Sequence, residues 1–225
     1  MFLIKAIVSD IDGTITNDQK LVQSVAVTAL RKVQNQGITV MIASGNVLPV
    51  SYGLVSYLGT EGPIIAENGG LVSFQERIYK LQSNELPLRA WSHLKAHLPA
   101  AERLFTDNWR ETEVALKRTV DLGKVRSVLK DWPVKIDATG FAIHIMEQGH
   151  SKLKGLKMAC ALIEVELKDV AAFGDADNDV DMLSGVGFGV AVGNASADAK
   201  KAASYVAKHK HGLGVQEGLR HLGLL

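Results

Sequence analysis

Residues 3–14 read LIKAIVSDIDGT, and this stretch decides which class of fold the sequence predicts. The apolar run from Leu3 to Ser9 has the length and composition of a parallel strand buried on both faces. It leads into Asp10 and Asp12, which would share a face of a continuing strand, and Gly13 then allows the backbone to turn. Ligands bind at the carboxyl ends of strands in open α/β sheets. The stretch therefore predicts a parallel α/β sheet with a functional site at the end of its first strand.

Short apolar runs alternate with helical patterns on both sides of a central segment. The expected strands after the first are Ile38 to Ala43, Pro63 to Ala66, Val170 to Phe173 and Gly187 to Val192. The expected helices are Ser24 to Asn35, Pro49 to Gly59, Lys152 to Ile163, Asp179 to Leu183, Ala197 to Ala203 and one more at the end of the chain. Asn68-Gly69-Gly70 is a turn signal that indicates a hairpin. We predict a Rossmann-like, doubly wound parallel sheet formed by residues 1–82 and 150–225.

The central segment, residues 83–149, has shorter apolar runs and mixed periodicity, and all three tryptophans lie in it. The expected helices are Leu88 to Leu98 and Leu122 to Leu129, and the expected strands are Leu104 to Asp107, Thr112 to Leu116, Val134 to Asp137 and Phe141 to Met146. This pattern predicts a smaller inserted α+β domain with an antiparallel sheet.

The composition is that of an ordinary globular protein and excludes several classes of partner. Lys and Arg number 25 against 24 Asp and Glu, so no excess of positive charge suits nucleic acid or a membrane surface. No apolar run approaches the roughly 20 residues of a membrane-spanning helix, and no signal peptide is visible. A cytoplasmic monomer or homodimer acting on a small molecule is expected.

A second acidic cluster follows a later predicted strand. Gly174-Asp175-Ala176-Asp177-Asn178-Asp179 comes directly after Val170 to Phe173. Three carboxylates at the carboxyl end of a strand suit Mg²⁺, which prefers oxygen ligands, although an acidic turn that caps the next helix is the alternative. Two close carboxylates at Asp10 and Asp12 repel each other unless a divalent cation or a shared proton compensates, and a polar turn is the alternative. The two clusters at equivalent topological positions favour the metal site.

Two further features suit a phosphate group. Ser44-Gly45-Asn46 follows the second predicted strand and offers a hydroxyl and backbone amides, but a plain turn would have the same composition. Lys152 begins the helix that precedes the second acidic cluster, where its charge would neutralise a phosphoryl group, unless it is a surface lysine. Lys154 is the competing candidate.

Taken in order, these motifs resemble those of the haloacid dehalogenase superfamily. The match consists of Asp-x-Asp-Gly-Thr at Asp10, Ser-Gly at Ser44, Lys152, and Gly-Asp-x-x-Asn-Asp at Gly174. An insertion between the second and third motifs, together with Glu67-Asn68-Gly69-Gly70, resembles the branch of phosphatases that carries an α/β cap. The resemblance implies a Mg²⁺-dependent phosphomonoester hydrolase that forms an aspartyl-phosphate.

The resemblance also implies roles for single residues. Asp10 is expected to be the nucleophile and a metal ligand, and Asp12 the general acid/base, which also offers its backbone carbonyl to the metal. Asp175 is expected to bind the metal directly, and Asp179 directly or through water. The residues expected to hold the phosphate are Ser44, Gly45, Lys152 and Asn178.

Within that branch, the chain is most similar to the archaeal phosphoglycolate phosphatases, through Ser44-Gly45-Asn46, Asn108-Trp109-Arg110-Glu111 and the Gly149-x-Ser-Lys pattern ending at Lys152. This resemblance implies 2-phosphoglycolate as the substrate. Arg110 is the expected reader of its carboxylate, and an ion pair with Glu111 or Glu113 on the cap surface is the alternative. The competing functions are a sugar-phosphate phosphatase or phosphomutase of the same branch, and a silent phosphate-binding module.

Overall fold

A computed structural model of the protein describes residues 3–225, and its strands form two separate sheets. The larger sheet has eight strands in the order β11-β10-β9-β1-β2-β3-β4-β5. These strands are β1 (Ala6–Asp10), β2 (Thr39–Ala43), β3 (Ile64–Ala66), β4 (Leu71–Phe74), β5 (Arg77–Lys80), β9 (Val170–Gly174), β10 (Phe188–Ala191) and β11 (Tyr205–Val206). The six strands from β11 to β3 are parallel, and β4 and β5 are antiparallel additions at one edge.

Helices cover both faces of the larger sheet, which explains why its central strands are continuous apolar runs. One face packs against α1 (Ser24–Gln34), α2 (Leu48–Leu58) and α8 (His211–His221). The other face packs against α5 (Lys152–Leu162), α6 (Val180–Ser184) and α7 (Ala197–Ala202). The predicted doubly wound, Rossmann-like sheet is confirmed.

The hairpin expected around Asn68-Gly69-Gly70 is also present. β3 and β4 pair antiparallel, and a single turn of 3₁₀ helix at Glu67–Gly69 joins them. Gly69 adopts φ +98°, and a β-carbon there would lie 2.0 Å from the carbonyl oxygen of Ser151. The turn therefore needs glycine at this position, both for its backbone angle and for its close contact with the start of α5.

The smaller sheet belongs to the central segment. It has three antiparallel strands in the order β6-β8-β7, formed by β6 (Glu113–Lys117), β7 (Val134–Ala138) and β8 (Ala142–Glu147). It packs against α3 (Glu85–His97) and α4 (Leu122–Val128) around a separate apolar core. The boundaries of the inserted domain at residues 83 and 149 stay a prediction.

One expected strand of the central segment is wrong. Leu104 to Asp107 is not a strand, because Phe105–Trp109 forms a 3₁₀ helix. The Asp107 side chain accepts a hydrogen bond of 2.6 Å from the backbone N–H of Ala115 in β6, in a position where a strand would offer a carbonyl. Arg103 pairs with Leu116 of β6 in an isolated bridge, and the Asp107 side chain then supplies the acceptor for Ala115.

The helices of the described chain are short. The longest, α3, has 13 residues, whereas about 20 apolar residues are needed to span a bilayer. None of the helices within residues 3–225 therefore meets the requirements for a membrane span.

Candidate active site

The two acidic motifs meet because their strands are neighbours. β1 pairs in parallel with β2 on one side and with β9 on the other, so the strand order reverses next to β1. Asp10 is the last residue of β1, and Asp175 directly follows β9. The site therefore lies at the topological switch point of the sheet, the usual place for ligands in this class of fold.

Lys152 joins this cluster from the first residue of α5. Its Nζ lies 2.5 Å from Oδ1 of Asp10 and 2.6 Å from Oδ1 of Asp179, and all three side chains are buried. Lys154 instead lies on the surface, where its Nζ donates to the carbonyl of Leu81. Of the two candidate lysines, Lys152 is the one that the fold places beside Asp10.

The cluster carries more negative than positive charge. Carboxylate oxygens of Asp10, Asp175 and Asp179 all lie within 4.8 Å of one another, and Lys152 is their one close cation among residues 3–225. Burial raises the pKa of Asp10 well above its usual range, and the charges of Asp179 and Asp175 add to the effect against the opposing influence of Lys152. Burial and the charge of Asp179 likewise raise the pKa of Asp175 to about 6.

These observations fit a divalent cation. Oδ2 of Asp10 is buried and has no hydrogen-bond partner, which leaves one carboxylate oxygen free for a ligand. Clustered oxygen donors with surplus negative charge are the ligands that hard cations prefer. Asp10, Asp175 and Asp179 could hold a metal ion, whereas the side chain of Asp12 lies outside this group.

Hydrogen bonds of ordinary length hold the carboxylates of Asp12, Asp175 and Asp179 in place. Oδ2 of Asp12 accepts a hydrogen bond of 2.8 Å from the Asn46 side chain, and burial raises the pKa of Asp12. Thr14 donates to Oδ1 of Asp175 at 3.0 Å. Oδ2 of Asp179 accepts from the backbone N–H groups of Asp175 and Ala176, both at 3.0 Å. Asp179 therefore holds the acidic loop and Lys152 in place at the same time.

The expected phosphate-binding loop lies at the end of β2, next to β1. Ser44 is buried, and its hydroxyl oxygen accepts a hydrogen bond of 3.0 Å from the backbone N–H of Asn46. Gly45 borders the cavity next to Asp10. Asn178 also borders it, and its side-chain amide donates to Oδ1 of Asn68 at 2.9 Å. Five expected site residues thus line one cavity: Asp10, Asp12, Gly45, Asp175 and Asn178.

That cavity has a volume of about 350 Å³, which suits a small metabolite. Its floor includes Asp10 and Asp175 of the acidic cluster. Its other walls come from the segment between β1 and α1, residues 16–20, and from Thr139, Gly140 and Phe141 in the turn between β7 and β8. Residues of the large sheet and of the small sheet therefore enclose the site together.

Arg110 does not line this cavity. Its side chain is 1% exposed, its guanidinium pairs with Glu113, and both terminal nitrogens donate to the backbone carbonyl of Gly45. The pairing with Glu113, which was the alternative to a role in the cavity, is present, but it is buried instead of lying on the surface of the inserted domain. A guanidinium so engaged leaves no free fork for a substrate carboxylate, which argues against that role for Arg110.

Sequence reasoning named Glu113 as a surface partner of Arg110 but did not predict that two groups of buried polar residues surround the site. Glu113 contacts both Nδ1 of His144, at 3.0 Å, and the side-chain amide of Asn68, at 3.0 Å, in a buried network that includes Arg110. No local pattern marks these positions, because the network forms only when β8 lies beside β6. His211, which resembles a polar surface residue in sequence, is buried at the start of α8.

The second group supports the turn after β1. Nδ1 of His211 contacts the carbonyl oxygen of Gly13 at 2.8 Å, and Asn194 donates to the same oxygen at 2.9 Å. His211 also donates its backbone N–H to Oδ1 of Asn194. Its φ of +53° is uncommon for a non-glycine residue.

Comparison with known proteins decides the family. The model of the haloacid dehalogenase-like hydrolases matches residues 7–106 and 115–219. The chain belongs to this family.

Two relatives align over nearly their whole length. The phosphoglycolate phosphatase of Methanothermobacter thermautotrophicus is 36% identical, and the alignment covers 96% of this chain and 98% of the relative. The phosphoglycolate phosphatase of Archaeoglobus fulgidus is 37% identical, with complete coverage of both chains. The crystal structure of Thermoplasma acidophilum 0175 matches with a TM-score of 0.91 and 26% identity, covering 99% of this chain and 100% of that one.

Proposed function

We propose that this haloacid dehalogenase-like hydrolase is a Mg²⁺-dependent phosphatase that removes the phosphate from 2-phosphoglycolate through an aspartyl-phosphate at Asp10. The observation that carries the proposal is the position of the Asp10 carboxylate. One of its oxygens contacts the ammonium of Lys152, and the other is buried without a partner at the floor of the cavity. A carboxylate held in this way is oriented for attack on a bound phosphoryl group.

Charge neutralisation comes first, because a carboxylate and a phosphate dianion repel each other. Lys152 supplies one positive charge, and Asp10, Asp175 and Asp179 would hold the cation. Mg²⁺, when bound, would supply the charge that offsets this repulsion and polarises the phosphoryl oxygens. Backbone N–H groups of the Ser44-Gly45-Asn46 loop would orient the phosphate at the end of β2.

In the first half-reaction, a carboxylate oxygen of Asp10 forms a bond to phosphorus while the bond from phosphorus to the glycolate oxygen breaks. The leaving oxygen needs a proton, and Asp12 is the donor that lines the same cavity. Burial raises the pKa of Asp12, which favours its protonated form. The products of this step are glycolate and phosphorylated Asp10.

In the second half-reaction, Asp12, now a carboxylate, takes a proton from water. The resulting hydroxide forms a bond to phosphorus, the acyl-phosphate bond breaks, and inorganic phosphate leaves with Asp10 regenerated. Asn46 holds Asp12 through its 2.8 Å hydrogen bond, so the same side chain is in place for both proton transfers.

The substrate follows from relatives and from size. Two relatives at 36% and 37% identity are phosphoglycolate phosphatases and align with almost the entire chain. The cavity of about 350 Å³ is small for a ligand site, which favours a compact phosphomonoester over a larger one.

The test is release of inorganic phosphate, with Mg²⁺ present, from a panel that contains 2-phosphoglycolate, sugar phosphates and p-nitrophenyl phosphate. We expect the highest kcat/KM for 2-phosphoglycolate. Asp10→Asn is the isosteric control and should reduce turnover to below a few per cent, since an amide is not a nucleophile. A sugar phosphate that is hydrolysed faster would contradict the substrate, and a sugar phosphate that is isomerised without release of phosphate would indicate a mutase.

The covalent step has its own test. Acid quenching during turnover of ³²P-labelled 2-phosphoglycolate should trap labelled protein in the wild type and none in Asp10→Asn. The label should be released by hydroxylamine, which cleaves acyl-phosphates. Wild-type turnover with no trapped label, together with an active Asp10→Asn variant, would rule out the aspartyl-phosphate.

A further inference from the structure

A cation at the mouth of the cavity is not used by the mechanism above. Among the described residues that line the cavity, Lys20 is the only one with a positive side chain. The other two cations near the site are already engaged, Lys152 by Asp10 and Asp179, and Arg110 by Glu113 and Gly45. Within residues 3–225 Lys20 forms no ion pair, and its Nζ lies 5.2 Å from the centroid of the Phe141 ring. Its charge also lowers the pKa of Asp12 against the larger effect of burial, so this charge acts inside the cavity, where a ligand would meet it.

The backbone at Lys20 is held in a tight turn between β1 and α1. Oδ1 of Asn17 accepts hydrogen bonds of 3.0 Å from the backbone N–H groups of Gln19 and Leu21. The N–H of Lys20 donates to the carbonyl of Asn17 at 2.9 Å, and Lys20 has φ +60°. A non-glycine residue in this conformation is uncommon and persists where the surroundings fix it. The turn thus presents the lysine at a defined place on the rim.

The opposite rim belongs to the small sheet, and it is also fixed. Phe141 packs edge to face against His144, with ring centroids 5.5 Å apart. The Thr139 hydroxyl contacts Nε2 of the same histidine at 3.2 Å. Because His144 is itself held by Glu113, the turn that carries Phe141 is tied to the buried network. Lys20 and Phe141 therefore meet across the mouth from two rigid supports.

We propose that Lys20 is the residue that selects substrates with a negative group beyond the phosphate, and that Phe141 holds its ammonium towards the cavity. This inference rests on the proposed function, since a phosphate at Asp10 would direct the rest of the substrate to the mouth. The floor of the cavity is acidic, so a carboxylate at the mouth needs a cation there. A compact phosphomonoester with a carboxylate is the substrate class that this arrangement fits.

An alternative, purely structural role for the contact between Lys20 and Phe141 makes a different prediction. If the cation–π pair only holds the cap against the core, its loss affects every substrate equally. Comparing 2-phosphoglycolate with 2-hydroxyethyl phosphate, which has a similar size but no carboxylate, distinguishes the two roles. Lys20→Met removes charge and contact, Lys20→Arg keeps both, and Phe141→Leu removes the contact but keeps the charge. Lys157→Met, an exposed change on α5, is the matched control.

The measured quantity is the ratio of kcat/KM for the two substrates. We expect Lys20→Met to lower this ratio by about ten-fold or more, through KM for 2-phosphoglycolate, as for loss of a charge pair that is partly shielded from water. Lys20→Arg should retain most of the ratio, Phe141→Leu should lower it less than Lys20→Met does, and Lys157→Met should match the wild type. An unchanged ratio in Lys20→Met would overturn the assignment, whether both substrates lose activity equally or neither does.

The same measurements distinguish failure of the proposed function from failure of the role assigned to Lys20. If the wild type shows no preference for 2-phosphoglycolate over 2-hydroxyethyl phosphate, the substrate assignment fails before any variant is compared. If the wild type shows the preference and Lys20→Met keeps it, only the role of Lys20 is overturned.

Discussion

The guanidinium of Arg110 donates two hydrogen bonds, each 3.0 Å long, to the backbone carbonyl oxygen of Gly45. Gly45 lies in the loop that is expected to bind phosphate, whereas Arg110 belongs to the central segment that carries the small sheet. The same guanidinium pairs with Glu113, and both side chains are buried. Arg110 therefore fixes the phosphate loop from the cap side without entering the cavity.

This relationship predicts that Arg110→Met impairs all substrates alike. Loss of the two hydrogen bonds frees the carbonyl of Gly45, and a loop that is less well placed should lower kcat/KM by about ten-fold, a misplacement effect of the kind that positioning residues show. Steady-state kinetics with 2-phosphoglycolate and p-nitrophenyl phosphate measure the effect. A loss confined to 2-phosphoglycolate would instead return the carboxylate-reading role to Arg110.

The same variant should be unstable, because it leaves the Glu113 carboxylate buried without its cation. Removal of one partner of a buried ion pair costs about 3–5 kcal/mol of unfolding free energy. The double variant Arg110→Met/Glu113→Gln removes the stranded charge and should recover part of that loss. Urea unfolding of the wild type, both single variants and the double variant gives the coupling energy, and strict additivity would contradict the pairing.

A second prediction concerns the metal. Mg²⁺ should raise Tm, because binding to the folded chain alone stabilises it by about 2.7 kcal/mol at a concentration of 100 Kd. Ca²⁺ should also bind but inhibit turnover, since its looser coordination misplaces the nucleophile. Asp175→Asn should lose most of the Mg²⁺-dependent shift, and the exposed Asp131→Asn should keep it. Equal shifts in both variants, or full turnover in excess chelator, would remove the acidic cluster from metal binding.

A third prediction follows from the charge of the cluster without metal. Lys152 is the shared partner of Asp10 and Asp179, so Lys152→Met should destabilise the metal-free chain by about 3–5 kcal/mol. Asp10→Asn should leave the stability unchanged or raise it, because burial and neighbouring carboxylates raise the pKa of Asp10 and its ionised form is unfavourable there. Thermal unfolding in chelator compares the two. A stabilised Lys152→Met or a strongly destabilised Asp10→Asn would contradict this account of the charges.

The sequence predicted the large sheet and its motifs because both depend on local signals. Buried parallel strands are continuous apolar runs, and the residue that ends such a run, such as Asp10, must lie at the carboxyl edge of the sheet. Glycine at position 69 marked the hairpin for a similar reason, since its backbone angle excludes other residues. The strand β11 was not predicted, because two residues are too few to show a periodic pattern.

Side-chain direction was not predictable in the same way. Arg110 lies between segments that read as strands, which suggested a loop reaching the cleft. It points inward because Glu113, three residues later, is buried and needs a cation, and because the Gly45 carbonyl lies opposite. Lys20 gave no signal at all, since an isolated lysine before a helix is usually a surface charge. Both placements depend on contacts between segments far apart in sequence.

A fourth prediction concerns pH and Glu67, which joins core and cap. Its carboxylate accepts hydrogen bonds from the backbone N–H of Thr112, at 2.9 Å, and from the Thr112 hydroxyl, at 2.7 Å. Burial and the nearby charge of Glu113 nevertheless raise the pKa of Glu67 from 4.5 to about 7. Because the folded pKa lies above the unfolded one, the folded state binds this proton more tightly. Its contribution to stability is complete below pH 4.5 and is lost as the pH rises through 7.

The size of the effect follows from linkage, at about 1.4 kcal/mol for each unit of pKa difference, so roughly 3 kcal/mol of unfolding free energy should be lost between pH 4.5 and 7. Glu67→Gln keeps an acceptor for Thr112 but cannot titrate, so its stability should decline less over this range than that of the wild type. Burial raises the pKa of Glu113, but the nearby charges of His144 and Arg110 outweigh it and lower the pKa to about 2. Glu113 therefore titrates below this pH range. Urea unfolding at half-unit pH steps, with the exposed Glu76→Gln as control, measures the difference between the curves. Parallel curves for the wild type and Glu67→Gln would show that the folded pKa of Glu67 stays close to 4.5 and that its hydrogen bonds to Thr112 offset its burial.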